Sequence, residues 1–425
     1  MSKYNSYKSI NSGWMNEIPS HWQALPCRGI VQEKTDKNHL IGSENYLSLM
    51  ANVGVIPYEE KGDIGNKKPE DLSKCKIVHV GDFVINSMNY GIGSYGVSPY
   101  EGVCSPVYIV LEPRKSNIDE RFAFRIFQDK HFQGKVQSLG NGILAHRCSI
   151  GWDDLKNIKV PIPPISEQKH IANFLDHETT KIDALITEQE RLIELLQEKR
   201  QAVISHAVTK GLNPNAPMKD SGVEWLGKVP EHWEVGPIKR FLSSMNYKRV
   251  PLSSEERSSR QGNYPYYGAS GIIDSVDDFL FNESLVLVSE DGANLLMRST
   301  PIAFEAHGEY WVNNHAHILR PNDGLTLFWS ERIESVQIAP FVTGSAQPKL
   351  TAEALLNLAI SCPLDLEEKK AIEERIQTAR SELEPLIEAA ENAVKLLRER
   401  RSALISAAVT GQIDVRGLIQ EEEAA

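Results

Sequence analysis

The chain has 425 residues, 41% hydrophobic and 24% charged, with a formal net charge of −11. At roughly 100–200 residues per domain, that length predicts two to four units with cores of their own. The polar opening residues argue against a secretory leader, and no run of about 18 apolar residues occurs to span a membrane. Five cysteines, without a CxxC pair, predict reduced thiols in a cytoplasmic protein and argue against a disulfide framework or a zinc cluster. The acidic balance argues at first sight against nucleic acid. It is uneven, however: residues 1–160 carry a slight basic excess and residues 218–425 the acidic one. A local basic groove or a basic partner would have to supply much of the attraction for phosphate.

In chain order, the first landmark is Trp14-Met-Asn-Glu-Ile-Pro-Ser-His-Trp22. Short strand-like runs follow at Lys76–Ile85 and Pro106–Leu111, with a helix at Asp119–Gln128. Two polar clusters interrupt them, Asn86-Ser-Met-Asn-Tyr90 and His146-Arg147. After Pro163-Pro164, with Ser166 as predicted N-cap, the pattern changes to three-four spacing: Ile171, Leu175, Ile182, Leu185, Ile186, Leu192, Ile193, Leu196 and Val203. This predicts one long helix ending before Gly211. A short linker, Asn213 to Lys219, leads into Trp225-Leu-Gly-Lys-Val-Pro-Glu-His-Trp233, which repeats the first landmark 211 residues later.

Further strand-like runs are Ser284–Ser289 and Trp311–Leu319, with polar clusters Tyr264-Pro-Tyr-Tyr-Gly268, Asn313-Asn-His315 and Gly344-Ser-Ala-Gln-Pro-Lys349. Asp365, with Glu368 three residues on, predicts a capping-box start for a second long helix. Its apolar positions are Ile372, Ile376, Leu383, Leu386, Ile387, Val394, Leu397 and Leu404. Pro385 predicts a kink there or a break nearer the N-terminus, and Gly411 follows the last turn. Lys199–Thr209 and Arg400–Thr410 match at a separation of 201 residues.

The protein therefore reads as a tandem of two units, each a variable globular part followed by a similar helical tail. The predicted fold class is α+β: two mixed α/β domains separated by two long antiparallel helices that form a coiled coil with pseudo-twofold symmetry. The seam is assigned to Ile171, Leu175, Ile182, Ile186 and Leu196 on one helix, and Ile372, Ile376, Leu383, Leu397 and Leu404 on the other. Each rod, at roughly 43 residues, would be about 65 Å long. The predicted segments are 1–160 and 218–362 for the globular domains, 161–217 for the first helix and linker, and 363–425 for the second helix and tail.

Enzyme motifs fail in turn. Gly91-Ile-Gly-Ser-Tyr-Gly96 fits a dinucleotide fingerprint, but Val-Ser-Pro follows where a helix is needed. No phosphate loop occurs. Glu167-Gln-Lys169 and Glu367-Glu-Lys369 resemble the end of a nuclease motif but fall at predicted helix starts, where acidic residues favour the macrodipole. His307, His315 and His317 lack an HExxH pattern or a cysteine partner, so a strand with His315 and His317 on one face is preferred to a metal site. No adenine-methylation motif is present, and no catalytic residue or cofactor is assigned to this chain.

A recognition protein remains. Amides pair bidentately with adenine and arginine with guanine, while backbone amides meet phosphate. The candidate DNA-contacting residues are accordingly Asn86, Ser87, Asn89, Tyr90, His146, Arg147, Tyr266, Tyr267, Asn313, Asn314, His315, Ser345, Gln347 and Lys349.

The ordered, duplicated landmarks resemble the specificity subunit of Type I restriction–modification systems. The resemblance is carried by the two Pro-x-His-Trp motifs, by Ile158-Lys-Val-Pro-Ile-Pro-Pro-Ile-Ser-Glu-Gln-Lys169, and by the two tails ending in Ala-Val-Thr. Pro265–Ser289 and Trp311–Leu319 also look like one subtype of the family's target recognition domains. Cys362-Pro-Leu-Asp-Leu-Glu-Glu-Lys369 departs from the first copy in lacking Pro-Pro and Glu-Gln. The resemblance implies two target recognition domains that each read half of a bipartite, asymmetric DNA site, and helices that set the spacer. It implies as partners double-stranded DNA, two adenine-methylating subunits using S-adenosylmethionine, and two restriction–translocase subunits using ATP and Mg. The chain itself would be non-catalytic. Two alternatives stay open at this point. One is a stand-alone architectural or antirestriction-like DNA binder, which would bind DNA strongly alone. The other is an enzyme with a site around His307 to His317, which one tightly held zinc per chain would reveal.

Overall fold

Phe83–Asn86 and Leu285–Ser289 are buried along their whole length, because both faces are covered: Phe83 and Ile85 enter one core and Val84 another, as do Val286 and Val288 against Leu285 and Leu287. In the computed structural model, which describes residues 2–40, 42–63, 67–140, 149–344 and 346–418, each is an inner strand of a four-stranded antiparallel sheet. The first sheet runs Val31–Lys34, Tyr108–Pro113, Phe83–Asn86, Tyr95–Val97. The second runs Leu242–Ser244, Ala316–Pro321, Leu285–Ser289, Ala303–Ala306. Strand order and connectivity are the same, although the two stretches share almost no sequence.

The chain forms two compact units, one of residues Met1–Glu190 with Asn392–Ala425 and one of Arg191–Glu391. In the first, Asp119 caps Glu120–Gln128 by accepting from the backbone N–H groups of Arg121 and Phe122, and Asp129 caps Lys130–Leu139 through Phe132. These helices lay Phe122, Ile126, Phe127 and Phe132 against Phe83, Ile85, Ile109 and Leu111. The second unit likewise packs a helix, Thr326–Glu334, on its sheet, with Leu327, Phe328 and Ile333 against Val286, Val288 and Leu319. It also carries an additional sheet, Gly271–Val276, Tyr264–Gly268, Glu309–Val312, Phe281–Asn282, whose two inner strands are parallel. A two-stranded closure completes each unit: Gln23–Pro26 with Lys159–Ile162, and Glu234–Pro237 with Ala359–Cys362.

The two long helices are Ile165–Lys210 and Leu366–Val409. The first begins one residue earlier than its predicted cap: Ser166 lies inside it, and Gln168 donates its backbone N–H to Pro164 O at 3.0 Å. Asp365 does cap the second, accepting from Glu367 N at 3.1 Å. Glu368 does not reach back to complete the box, because its carboxylate is engaged elsewhere. The helix runs unbroken through Pro385, so the predicted break is absent. Gly211 and Gly411 terminate the helices at positive φ, +79° and +73°.

Within the first unit, Ile171 and Leu175 from the start of one helix share a core with Ile405, Ala408 and Val409 from the end of the other. Arg401 grips Asp183 there through Nε at 2.8 Å and Nη2 at 3.2 Å, and Arg398 reaches Glu190 at 2.8 Å. Within the second unit, Ile204, Ala207 and Val208 pack with Ile372 and Ile376, and Arg200 meets Glu384 at 3.5 Å. Pairing starts with ends makes the helices antiparallel. The ion pairs Asp183–Arg401 and Glu384–Arg200 occupy equivalent positions of the repeat. Of the assigned seam, Ile171, Leu175, Ile182, Ile186, Ile372, Ile376 and Leu383 are buried, whereas Leu196, Leu397 and Leu404 are half-buried. No helix among the described residues is long and apolar enough to cross a membrane. Cys27, Cys75, Cys104 and Cys362 are buried free thiols; Cys148 lies outside the described residues.

Candidate nucleic-acid interface

The opening landmark of each unit locks a globular part to a helix start. Trp22 donates its indole N–H to Glu167 Oε1 at 3.1 Å, and the His21 imidazole lies 2.8 Å from Oε2. Trp233 and His232 hold Glu368 in the same way, both at 2.9 Å. Glu167 also accepts from the Tyr4 hydroxyl at 2.5 Å, and burial beside that carboxylate raises the Tyr4 pKa. These carboxylates are thus structural, and the equivalent of Glu167 is Glu368, where the nuclease-like reading had paired it with Glu367.

The loop leaving the central strand of each sheet is then stitched to a second loop. Ile150 N donates to Ser87 O at 3.0 Å in the first unit, and Leu350 N to Glu290 O at 2.8 Å in the second. The two stitches are equivalent, and between them they gather most of the polar candidates.

In the first unit, Asn86 builds the loop and is not presented by it. Its backbone N–H bonds Ser94 O at 3.0 Å and its side-chain oxygen accepts from Met88 N at 3.1 Å. Ser87 is buried too, and Asn89 is exposed. Tyr90 is a correction: it lies fully in the core, with its hydroxyl donating to Phe127 O at 2.7 Å, because an aromatic ring there fills the space under the loop. The glycine run continues into the strand Tyr95–Val97 and opens no helix, so the phosphate site of a dinucleotide fold is missing. His146 and Arg147 lie outside the described residues.

In the second unit the organising group is Glu290, which sequence reading missed. Arg249 Nη1 meets its carboxylate at 2.5 Å and Lys349 Nζ at 3.1 Å. Arg249 also donates to the backbone oxygens of Ala316 at 2.9 Å and Asn314 at 3.3 Å. Burial pushes the Glu290 pKa up, but the hydrogen bonds and charges of Arg249 and Lys349 outweigh it and hold the carboxyl below its usual range. His317 faces Glu290 at 3.5 Å, yet its tautomer is fixed by other partners. Asn246 accepts from Ile318 N through its side-chain oxygen, so its amide N–H₂ donates to His317 Nδ1 at 3.0 Å. Nε2–H then donates to Leu350 O at 2.8 Å. The ring is neutral, and burial lowers its pKa.

Around this hub the loops converge. Asn313 N donates to Tyr267 O at 3.0 Å and Gly292 N to Pro348 O at 3.0 Å; Thr343 and Lys349 exchange backbone hydrogen bonds at 2.9 and 2.7 Å. The Asn313 side chain accepts from His315 N at 2.8 Å, and the His315 imidazole donates through Nδ1 to Asp291 at 2.9 Å. Asn314, His315, Gln347 and Lys349 are exposed on these loops, Tyr267 is half-buried, and Asn313 is buried. Tyr266 is a second correction: it is buried and its hydroxyl caps Leu252 N at 2.9 Å. Ser345 lies outside the described residues. His307, bonded to Ser284 at 2.9 Å, shares no partner with His315 or His317, and among the described residues no three His, Cys, Asp or Glu side chains converge as metal ligands.

Residues 37–195 and 230–393 match the family described as the Type I restriction modification DNA specificity domain. Over 97% of its length the chain is 25% identical to the MjaVIII specificity subunit of a Type I restriction enzyme from Methanocaldococcus jannaschii, covering 98% of that protein. It is 31% identical over 147 residues to a putative specificity subunit from Haemophilus influenzae, 34% of each chain. A solved chain, described under complex assembly and conformational transition of the type I R-M system, superposes with a TM-score of 0.68 at 14% identity, over 93% of this chain and 99% of that one.

Proposed function

The chain belongs to the Type I restriction modification DNA specificity domain family and carries two copies of that domain, and from this premise we propose that it is the DNA-recognition subunit of a methylating and restricting complex. Each unit reads one half of a bipartite site through its pair of stitched loops. The observation that carries this reading is the equivalence of Ile150–Ser87 and Leu350–Glu290: one backbone frame displays unrelated polar side chains, as two readers of two different sequences require.

The antiparallel helices act as the ruler between the half-sites and as the dock for two adenine methyltransferase subunits. Leu185 and Leu386, and likewise Leu195 and Leu396, stand at equivalent repeat positions and are exposed on the helices. Exposed leucines repeated in this way suit two copies of one partner. S-adenosylmethionine, ATP and Mg serve the methylating and translocating partners, and this chain directs their chemistry without performing it, in the cytoplasm where the DNA lies.

The test is a base-resolution adenine-methylation map from a methylation-free host expressing this chain with its neighbouring methyltransferase. A bipartite motif that appears only when this chain is present is the expected result. A soluble complex of the two proteins that methylates nothing would overturn the proposal.

A further inference from the structure

The loop that leaves the central strand displays large apolar side chains in both units, and packing does not require them. In the first unit Met88 is 53% and Ile92 63% exposed, on either side of the buried Tyr90, and Val53 is 65% exposed on the adjoining hairpin tip. In the second, the equivalent loop forms the short helix Asn294–Met297, where Leu296 is 52% and Met297 74% exposed. The two loops have no sequence in common, so the shared display is not inherited from one motif.

Both displays are held rigidly. Among the described residues two non-glycine residues have positive φ, Asn52 at +61° and Arg298 at +49°, and each stands beside one of these tips. Asn52 N donates to Gly93 O at 2.9 Å, tying the hairpin to the loop. Arg298 ends the short helix and clamps it through Nη1 to Val336 O at 3.1 Å and Nη2 to the Glu334 carboxylate at 2.7 Å. Backbone strain of this kind is kept where position matters.

We infer that Met88 and Ile92 in the first unit, and Leu296 and Met297 in the second, are wedges that press into the base stack of the half-site their unit reads. The inference rests on the DNA-reading function proposed above. Two or three projecting side chains fall far short of the about 800 Å² per partner of a stable protein interface. Prominent apolar tips on a loop that also carries the exposed amide of Asn89, stitched to the second reading loop, suit a narrow groove. Apolar side chains inserted between base steps unstack and kink DNA there.

The test uses the full chain assembled with its methyltransferase, on duplexes carrying the mapped motif with 2-aminopurine at each position in turn, the methylated adenines excepted. Wild-type protein is expected to raise the fluorescence at one step in each half-site. Met88→Ser with Ile92→Ser is expected to abolish the signal in the first half-site only and to weaken duplex binding about tenfold. Leu296→Ser with Met297→Ser is expected to do so in the second. The substituted positions are exposed, so melting temperature and co-purification with the methyltransferase are expected to stay at wild-type values. A methylated motif with no unstacked step overturns the wedges and leaves the proposed function standing. So do variants that keep the wild-type signal, or variants that melt normally yet lose the methyltransferase. The absence of any motif overturns both.

Discussion

Trp22 donates its indole N–H to the Glu167 carboxylate across 145 residues of chain, and Trp233 does the same to Glu368 across 135. A globular part with almost no sequence in common between the copies is thereby fastened to the helix start by the same carboxylate in both. The two junctions differ in burial: the Glu167 side chain is 5% exposed and that of Glu368 24%, since Tyr4 covers only the first.

Glu167→Ala leaves Trp22 and Tyr4 with unsatisfied buried donors, so it is expected to cost about 2–4 kcal/mol. Glu368→Ala strands one buried donor, the Trp233 indole, while His232 is exposed, so it is expected to cost about 1–2 kcal/mol. Urea unfolding of each variant against wild type checks the order; equal costs would mean that Tyr4 adds nothing to the first junction.

Acid is expected to weaken the second unit in two stages. His317 is neutral in the fold with its pKa lowered by burial, so unfolding takes up a proton as pH falls below the ordinary histidine value of about 6.5. Glu290 is held below its ordinary range chiefly by Arg249, against the opposing effect of burial. Its contribution is complete above about pH 5 and is lost as pH falls through the folded pKa. His317→Asn should remove the decline just below pH 6.5 and retain the lower one. Urea midpoints measured from pH 7.5 to 4 would show this, and an unchanged upper decline would place that titration on another group.

Replacing Gln347 and Lys349 with alanine is expected to change only the half-site read by the second unit. Asn89→Ala should alter only the other half. Methylation maps of the variants decide the matter: both half-sites changing together would rule out independent reading.

A heptad inserted after Leu192 needs a matching heptad beside Arg398, which pairs with Glu190 across the helices. Seven residues add about 10.5 Å, so the unread spacer is expected to lengthen by about three base pairs with both half-sites intact. An unchanged spacer in the methylation map would remove the ruler role.

Leu185→Glu with Leu386→Glu is expected to abolish co-purification of the methyltransferase without lowering the melting temperature, because both side chains are already in water. Retained co-purification would move the dock elsewhere on the chain.

The amino-acid sequence by itself determined the tandem repeat, the two long helices with their glycine ends, and the family. Helix periodicity, caps and a repeated Pro-x-His-Trp are written within a few residues of one another, so they survive without knowledge of the fold. It also named the polar loops, but it could not separate the side chains they display from those they consume. Tyr90 and Tyr266 read like Asn89 and Tyr267 along the chain; only the three-dimensional packing sends the first two into the core. Nor was the shared sheet legible, since strand order follows from pairings between distant segments. Glu290 shows the same limit most sharply. Its partner Arg249 lies 41 residues away, and a carboxylate at the end of a buried strand has no meaning until the fold brings a guanidinium to it.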